Sequence, residues 1–546
     1  MNTTCMVTTW KMIRWMLSWM LAPLNCLTGW ASRTLAISKQ LASASQIHEP
    51  LNANNLPSYL PTPMVIPTLY PWEIFNELRK VSVTKAGGPD NVPAKILKEF
   101  AYELSAPITD IINTSLSEGI VPIQWKEANV VPIPKVNPPT LEKLRPISLL
   151  SSLSKIAEGF VSRWVLNAIK PKIDSRQFGN QKGISTSHCL VDIYHYLISG
   201  ANAKNNVGTL VLTDFTKAFD SINHQIACIN LLEMGVSPAV VHWIVDFLRE
   251  RRQRVKYKHV FSDWQTLSNG VPQGTKLGPV IFLACINNAA DPTNRKCWKY
   301  VDDLTFGENR SYYNESKLQI DLNCLSTWAG NNGFSLNPVK CQALQVYFGK
   351  NHPPEGQYSI LNTPLELVTK AKLLGVTFQQ NLKWDFHVDE MISKVNKKLF
   401  MVRQLKKHGL SIEELVLVYK GYIRPVVEYA APVWHSSITF HQTDQIEAIQ
   451  KRICRIILGS KYVNYDNAIT LLGLESLFDR RTSLCQKFAL KTYKSGNFSH
   501  WFPASNKNHI MSLRSRRTVH EQTSSTNRFR NSPIPYFARL LNSLSL

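Results

Sequence analysis

Three carboxylates stand where they could do chemistry. Asp302 and Asp303 are adjacent, preceded by Tyr300-Val301 and followed by Leu304-Thr305-Phe306, and Asp214 closes an apolar run from Gly208 to Leu212. That run is too short and too β-branched for a helix, so it reads as a strand delivering Asp214 at its C-terminal end. Residues 297–301 read as a second strand, Asp302-Asp303 as a tight turn and 304–306 as a third strand, a hairpin with acid at its tip. Carboxylates at the ends of neighbouring strands can clamp two divalent ions roughly 3.5–4 Å apart, one activating a hydroxyl and the other holding a triphosphate. An acid pair in a hairpin is also ordinary solvated turn chemistry. The separation of 302 − 214 = 88 residues excludes a local metal loop, so the strands must meet through the fold.

The elements that would position these acids follow from periodicity and punctuation. Between them lies a Gly-containing loop, Gly270-Val271-Pro272-Gln273-Gly274 through Leu277-Gly278-Pro279, followed by an apolar helix to about 287. Upstream, Ile74, Leu78 and Val81 fall at helical spacing, a turn covers 85–90 and a second helix covers 93–104. Residues 130–135 are β-rich and Pro-punctuated, and Leu144-Arg145-Pro146-Ile147-Ser148 is expected to open a long amphipathic helix to about 169. A polar loop over 177–186 caps a helix at 187–197. After Asp214, helices are expected to reach Met234 and to cover 239–249, with a hairpin at 255–267. Beyond the acidic hairpin come a helix at 316–329, a strand after Lys340 and a hairpin at 373–378. From 385 the pattern is mainly helical, with Ile392, Val395 and Leu399 on one face and Lys394, Lys397 and Lys398 interleaved. A solvated face is the ordinary reading of such lysines, and a nucleic-acid contact the sharper one.

Composition narrows the class. The chain of 546 residues is 44% hydrophobic and 18% charged, a globular balance rather than a disordered one. Its 62 Lys and Arg outweigh 39 Asp and Glu, a formal charge of +23 that favours a polyanionic partner, nucleic acid ahead of an acidic membrane. The charge clusters at Arg249, Arg251, Arg252, Arg254, Lys256 and Lys258, and again at Arg514, Arg516 and Arg517. The ten cysteines are scattered without a C-x-x-C pair, which argues against a zinc ribbon or a disulfide framework. Lys11 and Arg14 precede an uncharged run at 15–32, patterned like a signal peptide or a marginal membrane span but interrupted by Pro23, Asn25 and Gly29. The preferred reading is an accidental or truncated leader, with a linker at 33–68.

Taken together, the motifs resemble the reverse transcriptase family, and specifically the polymerases of non-LTR, LINE-type retrotransposons of the jockey-like sort. Leu212-Thr213-Asp214-Phe215-Thr216-Lys217-Ala218-Phe219-Asp220 looks like the first catalytic motif, Gly270 to Pro279 the second, and Tyr300-Val301-Asp302-Asp303 the third. The resemblance covers roughly residues 70–545, with its diagnostic core at about 122–378. It implies that Asp214 and Asp302 are the principal metal ligands, that Asp303 is a secondary carboxylate and that the Phe215 backbone is a further ligand. Phe219 would pack under the incoming sugar and exclude a 2′ hydroxyl, or else be a core aromatic. Arg145 would grip the triphosphate, with Lys135 a second candidate, since fork geometry and permanent charge suit Arg to phosphate. Gln273 and Gly274 would lie against nucleotide and template, and Lys340 would protonate the leaving pyrophosphate or be a solvated loop lysine.

The sequence departs from the family pattern at Asn180, Gln181 and Ile184, which weakens the implied template grip of that loop. Autonomous members of the class carry an upstream endonuclease, for which the first 70 residues are too few, and no Cys/His knuckle is present. A truncated element or polymerase-only fragment is therefore expected.

The resulting expectation is an α+β right-hand polymerase. A leader and linker occupy 1–69, fingers 70–205, a palm with an antiparallel sheet 206–378, and a helical thumb-like and C-terminal region 379–546. The implied reaction is RNA-directed DNA synthesis with two Mg²⁺ ions, Mn²⁺ serving as substitute, on an RNA template, a DNA primer and dNTPs. No specific protein partner is inferred and membrane contact is not expected. The implied location is nuclear, cytoplasmic or both, with the 15–32 run leaving a signal-peptide or membrane alternative. The rival readings are a non-catalytic nucleic-acid-binding relic and a membrane-tethered fusion product. Spaced Lys and Arg on the C-terminal helices suit contact with a duplex backbone and salt-sensitive affinity.

Overall fold

The computed structural model describes residues 66–136, 138, 140, 143–290, 296–349, 352–354, 356–503 and 519–544. The leader, the linker up to residue 65 and the Arg514–Arg517 cluster lie outside the described residues. Of the fourteen strands among the described residues, eight frame the two larger sheets: β1 (Glu127–Pro134), β2 (Leu144–Leu149), β3 (Asn206–Thr213), β4 (Arg251–Tyr257), β5 (Cys297–Tyr300), β6 (Asp303–Ser311), β7 (Gln342–Val346) and β8 (Glu366–Val368). The chain divides discontinuously into two compact units, Met1–Lys172 with Lys217–Cys285, and Ile173–Thr216 with Ile286–Leu546.

In the first unit β1 pairs antiparallel with β2, setting Ile133 opposite Arg145, and parallel with β4, setting Asn129 opposite Arg254. Ile112, Val130, Val161, Val165, Ile244, Phe247 and Phe282 form its core. Here the structure corrects the expected helix over 144–169. Residues 144–149 are strand β2, and the helix begins only at Ser152. Pro146 lacks an N–H and Ile147 is β-branched, both adverse to a helix interior. The true start is the Ser151 cap, whose hydroxyl accepts the N–H groups of Leu153 and Ser154. The helix expected at 93–104 is also divided, into Ala94–Glu99 and Ala101–Glu118, meeting at Phe100.

The second unit is built on the strand order β8-β7-β3-β6-β5, antiparallel throughout except that edge strand β8 runs parallel to β7. The helix Thr186–Ala201 packs on β3, and burial of Leu190, Val191, Ile193, Leu197 and Ile198 explains why its apolar residues surround it rather than forming one stripe. After β8 the chain is largely helical. In Asp385–Lys407 the buried stripe is Val388, Met391, Val395, Leu399 and Val402, while Lys394 and Lys397 are exposed. No helix among the described residues is long and apolar enough to cross a membrane. The eight described cysteines are free thiols.

Candidate active site

Register brings the acids together. In the β3–β6 ladder Thr213 stands opposite Leu304, so one step further Asp214 stands across from Asp303. The β5–β6 hairpin closes with Tyr300 paired to Asp303, so the two turn residues are Val301 and Asp302, and Asp303 is the first residue of β6 rather than part of the turn. All three carboxylates therefore belong to one end of one sheet, in the second unit.

The neighbouring segment fixes Asp214. Its carbonyl accepts the Asn337 N–H at 2.8 Å, its N–H donates to Cys341 Sγ at 3.3 Å, and the Thr216 N–H donates to Ser335 O at 2.8 Å. These bonds bracket Phe215 and engage the carbonyl of Asp214 rather than that of Phe215. The Phe215 ring is buried 5.7 Å from Phe334 and 6.3 Å from Trp328, an aromatic wedge behind the acid. Lys340, exposed, sets its Nζ 3.2 Å from Asp214 Oδ2.

Asp302 is aimed by a strained turn. Val301 has φ +61°, a left-handed conformation that a β-branched residue adopts rarely and that a hairpin turn usually gives to glycine. Gln177 Oε1 braces it, accepting the Val301 N–H at 3.2 Å and the Gly179 N–H at 2.8 Å. Gly179 must be glycine, since a Cβ there would lie 2.5 Å from the Val301 nitrogen. The brace is itself held because Phe178 donates to the Lys299 carbonyl and the Lys299 N–H donates to Arg176 O, laying this segment along β5. Beneath it the wholly buried Lys299 ammonium lies 2.6 Å from Asp174 Oδ2 and donates to Asn287 O. Such a buried pair is costly to break by removing one partner, about 3–5 kcal/mol.

The electrostatics suit a cation. Crowding by protein around Asp303, together with the charges of Asp302 and Asp214, pushes its carboxyl up to about 6. Among the described residues no group of three or more His, Cys, Asp or Glu side chains is arranged so that it could by itself hold a metal ion. A closed cage is not what Mg²⁺ requires, because it keeps water and substrate phosphates as ligands and takes only one or two carboxylates from protein. An open cluster of mutually repelling acids fits that demand.

The remaining expected residues lie in the first unit. Arg145 on β2 and Lys135 just beyond β1 are exposed, and the Lys135 N–H donates to Lys143 O at 2.8 Å, extending the ladder. Phe219 stacks on Phe282, ring centroids 4.5 Å apart. The Gln273 carbonyl accepts the Ser148 N–H at 2.8 Å, and Gln273 Nε2 donates to Asp220 Oδ1 at 3.4 Å. Gly274 has φ +142° and would carry a Cβ 2.5 Å from Ser148 O, so backbone approach and conformation both demand glycine. Burial raises the Asp220 carboxyl, opposed by Gln273 and by the charges of Lys217 and Lys135. Asp220, Gln273, Ser148 and Asn269 line a small cavity of about 40 Å³.

Sequence reasoning missed the supports. Glu158, wholly buried, accepts the Lys276 N–H at 2.7 Å and the Leu277 N–H at 3.4 Å, and takes the Ser154 hydroxyl at 2.9 Å, fixing the loop after Gly274 to the helix Ser152–Ile169. A lone Glu inside a small-and-apolar helical stretch, like a lone Lys inside Cys297-Trp298-Lys299-Tyr300, was the available signal in each case.

Residues 133–378 match the family described as reverse transcriptase (RNA-dependent DNA polymerase). Over 469 residues the chain is 26% identical to a probable RNA-directed DNA polymerase from transposon BS of Drosophila melanogaster, covering 81% of this chain and 51% of that protein. It is 25% identical to the probable RNA-directed DNA polymerase from transposon X-element of the same species, covering 81% and 49%. It is 24% identical to the RNA-directed DNA polymerase from the D. melanogaster mobile element jockey, covering 76% and 47%. The chain thus spans about half the length of the curated relatives it matches. A chain of apo telomerase from Candida tropicalis, truncated from the C-terminal domain, aligns at TM-score 0.33 and 12% identity over 54% of this chain and 61% of that one, too low to carry an argument. Residues 133–378 thus match the reverse transcriptase family, and the chain as a whole is similar to RNA-directed DNA polymerases of non-LTR retrotransposons.

Proposed function

We propose that the chain is an RNA-directed DNA polymerase that adds deoxynucleotides to a primer 3′ hydroxyl by two-metal nucleotidyl transfer. The observation that carries this reading is the register of β3 and β6, which sets Asp214 across from Asp303 beside the strained turn bearing Asp302. Asp214 and Asp302 would hold the ions, Asp303 would add negative field and the Phe215 carbonyl would complete the set. Two Mg²⁺ ions, or Mn²⁺ in their place, supply hydroxyl activation and neutralisation of triphosphate charge when bound. Lys340, a donor beside Asp214, would deliver a proton to the departing pyrophosphate.

Arg145 and Lys135 would bind the triphosphate, and Phe219, firm against Phe282, would exclude a 2′ hydroxyl and so select deoxynucleotides. Gln273 and Gly274 would contact nucleotide and template. In this reading residues 70–205 act as fingers, 206–378 as palm and 379–546 as a thumb-like region, with RNA template, DNA primer and dNTPs as the partners, in nucleus or cytoplasm.

Extension of a DNA primer on an RNA template by the full chain tests the proposal. Incorporation with Mg²⁺ is expected. Binding of primer-template without incorporation in either Mg²⁺ or Mn²⁺ would overturn it in favour of an inactive nucleic-acid-binding relic.

A further inference from the structure

Within the second unit, well along the chain from the carboxylates, a cavity of about 490 Å³ opens beside the helix Asp385–Lys407, a size typical of small-ligand pockets, about 300–1,000 Å³. Its opposite wall is the π-helical turn Tyr419–Ile423 and the start of Arg424–Glu428. The π turn has a cause in sequence, for Pro425 has no N–H to donate to the Gly421 carbonyl, and the helix there cannot keep its ordinary ladder. Such turns recur at functional sites. Here the turn places Gly421 on the cavity wall, with nothing within 4 Å of where its Cβ would be.

The chemistry of the walls is two-part. Tyr422, Tyr429, Pro425 and Met391 supply aromatic and apolar surface. The Tyr429 ring is fixed, its hydroxyl donating to Leu374 O at 2.6 Å and its edge lying 3.1 Å from where a Cβ on Gly375 would be. Around them stand three ammonium groups. Lys398 Nζ lies 3.8 Å from the Tyr422 ring centroid and donates to Tyr422 O at 3.0 Å. Lys372 and Lys394 share one carboxylate, Glu390, at 3.0 and 3.7 Å, and each keeps about half of its side chain exposed. His387, which also lines the cavity, is kept neutral by burial and the lysine charges, with a pKa of about 4. Three cations against Glu390 leave a surplus of positive charge at the mouth.

A flat ring surface beside ammonium groups that outnumber their carboxylate matches one unit of a nucleic-acid strand, base to the aromatic wall and phosphate to the lysines. A duplex keeps its base faces stacked and offers only phosphates to such a concavity. We propose that this cavity holds an unpaired nucleotide of single-stranded nucleic acid, a site separate from the carboxylate end of the sheet and independent of whether the chain polymerises.

Fluorescence anisotropy with the full chain, using labelled oligo(U), oligo(dT) and a blunt duplex, tests this. Gly421→Trp fills the cavity from a wall position where an added Cβ meets open space, and Lys394→Glu reverses charge at an exposed rim position. Each variant is expected to weaken binding of oligo(U), oligo(dT) or both by about tenfold, Gly421→Trp leaving duplex binding and the melting temperature unchanged and Lys394→Glu weakening duplex binding less than single-strand binding. Lys394→Glu should also flatten the single-strand salt dependence by about 0.7 log units per log unit of salt for each phosphate no longer neutralised. Equal losses for single strand and duplex would overturn the proposal, as would full single-strand affinity in Gly421→Trp. None of these readouts requires nucleotide incorporation, so failure here is distinct from failure of the polymerase reading.

Discussion

Val301 bends the chain so that the next side chain, Asp302, sits at the hairpin tip, and it does so at a positive φ that costs of order 1–3 kcal/mol for a residue of its type. Gln177 and Gly179 hold it there. Val301→Gly is therefore expected to leave stability unchanged or to raise it by about 1 kcal/mol, yet to slow incorporation by up to about 100-fold, because a more mobile turn no longer fixes the acid. Gly179→Ala should instead destabilise by about 1–3 kcal/mol, as its Cβ meets the Val301 backbone. Denaturant titration of both variants checks the pair. At this scale residue type is informative, since Asp214 is legible as a strand-end acid and Asp302 and Asp303 as the acids of a hairpin tip. The brace is not legible, because a Gln-x-Gly in a polar loop looks like any capping loop until its partner, more than a hundred residues away, is known.

The loop 270–278 depends on a helix that periodicity locates but begins too early. Helical pattern is strong over 152–169 and continues back in the sequence over Arg145-Pro146-Ile147, where strand pairing to β1 wins. The consequence is functional, since Arg145 sits on a strand edge and Glu158 sits deep in the helix with the N–H groups of Lys276 and Leu277. Burial raises the Glu158 carboxyl, with the charge of Arg251 opposing. Glu158→Ala should cost about 3–5 kcal/mol by stranding buried partners, whereas Glu158→Gln, retaining an acceptor, should cost about 1–2 kcal/mol. In the Gln variant a raised KM for dNTP is expected with a smaller change in kcat, measured by single-nucleotide kinetics, because the loop holding Gln273 loses one anchor.

Over the whole molecule, composition announces a basic, globular chain, and local pattern finds most helices, but the discontinuous division into two units depends on strand pairings across long separations that no local window contains. The second unit also carries a pH liability. His188, His195, His387 and His435 are held neutral, mainly by burial, with pKa values of about 4 against 6.5. Below pH 6.5 the unfolded chain takes up protons that the folded chain refuses until about pH 4, so stability should fall progressively across that window. Asp192, depressed by His500, Lys296 and two indole N–H donors despite its burial, adds a further loss at lower pH. A series of thermal melts from neutral pH to pH 4 checks the slope, and a flat profile would contradict it. The central claim, that the β3 and β6 acids form a metal-dependent nucleotidyl-transfer site, is tested most directly by single-nucleotide incorporation on an RNA template by the full chain and by Asp302→Asn. Primer-template binding is expected of both proteins, with incorporation lower by about 10³-fold or more in the variant, the scale of losing several kcal/mol of charge stabilisation. Equal incorporation by the two proteins would contradict it.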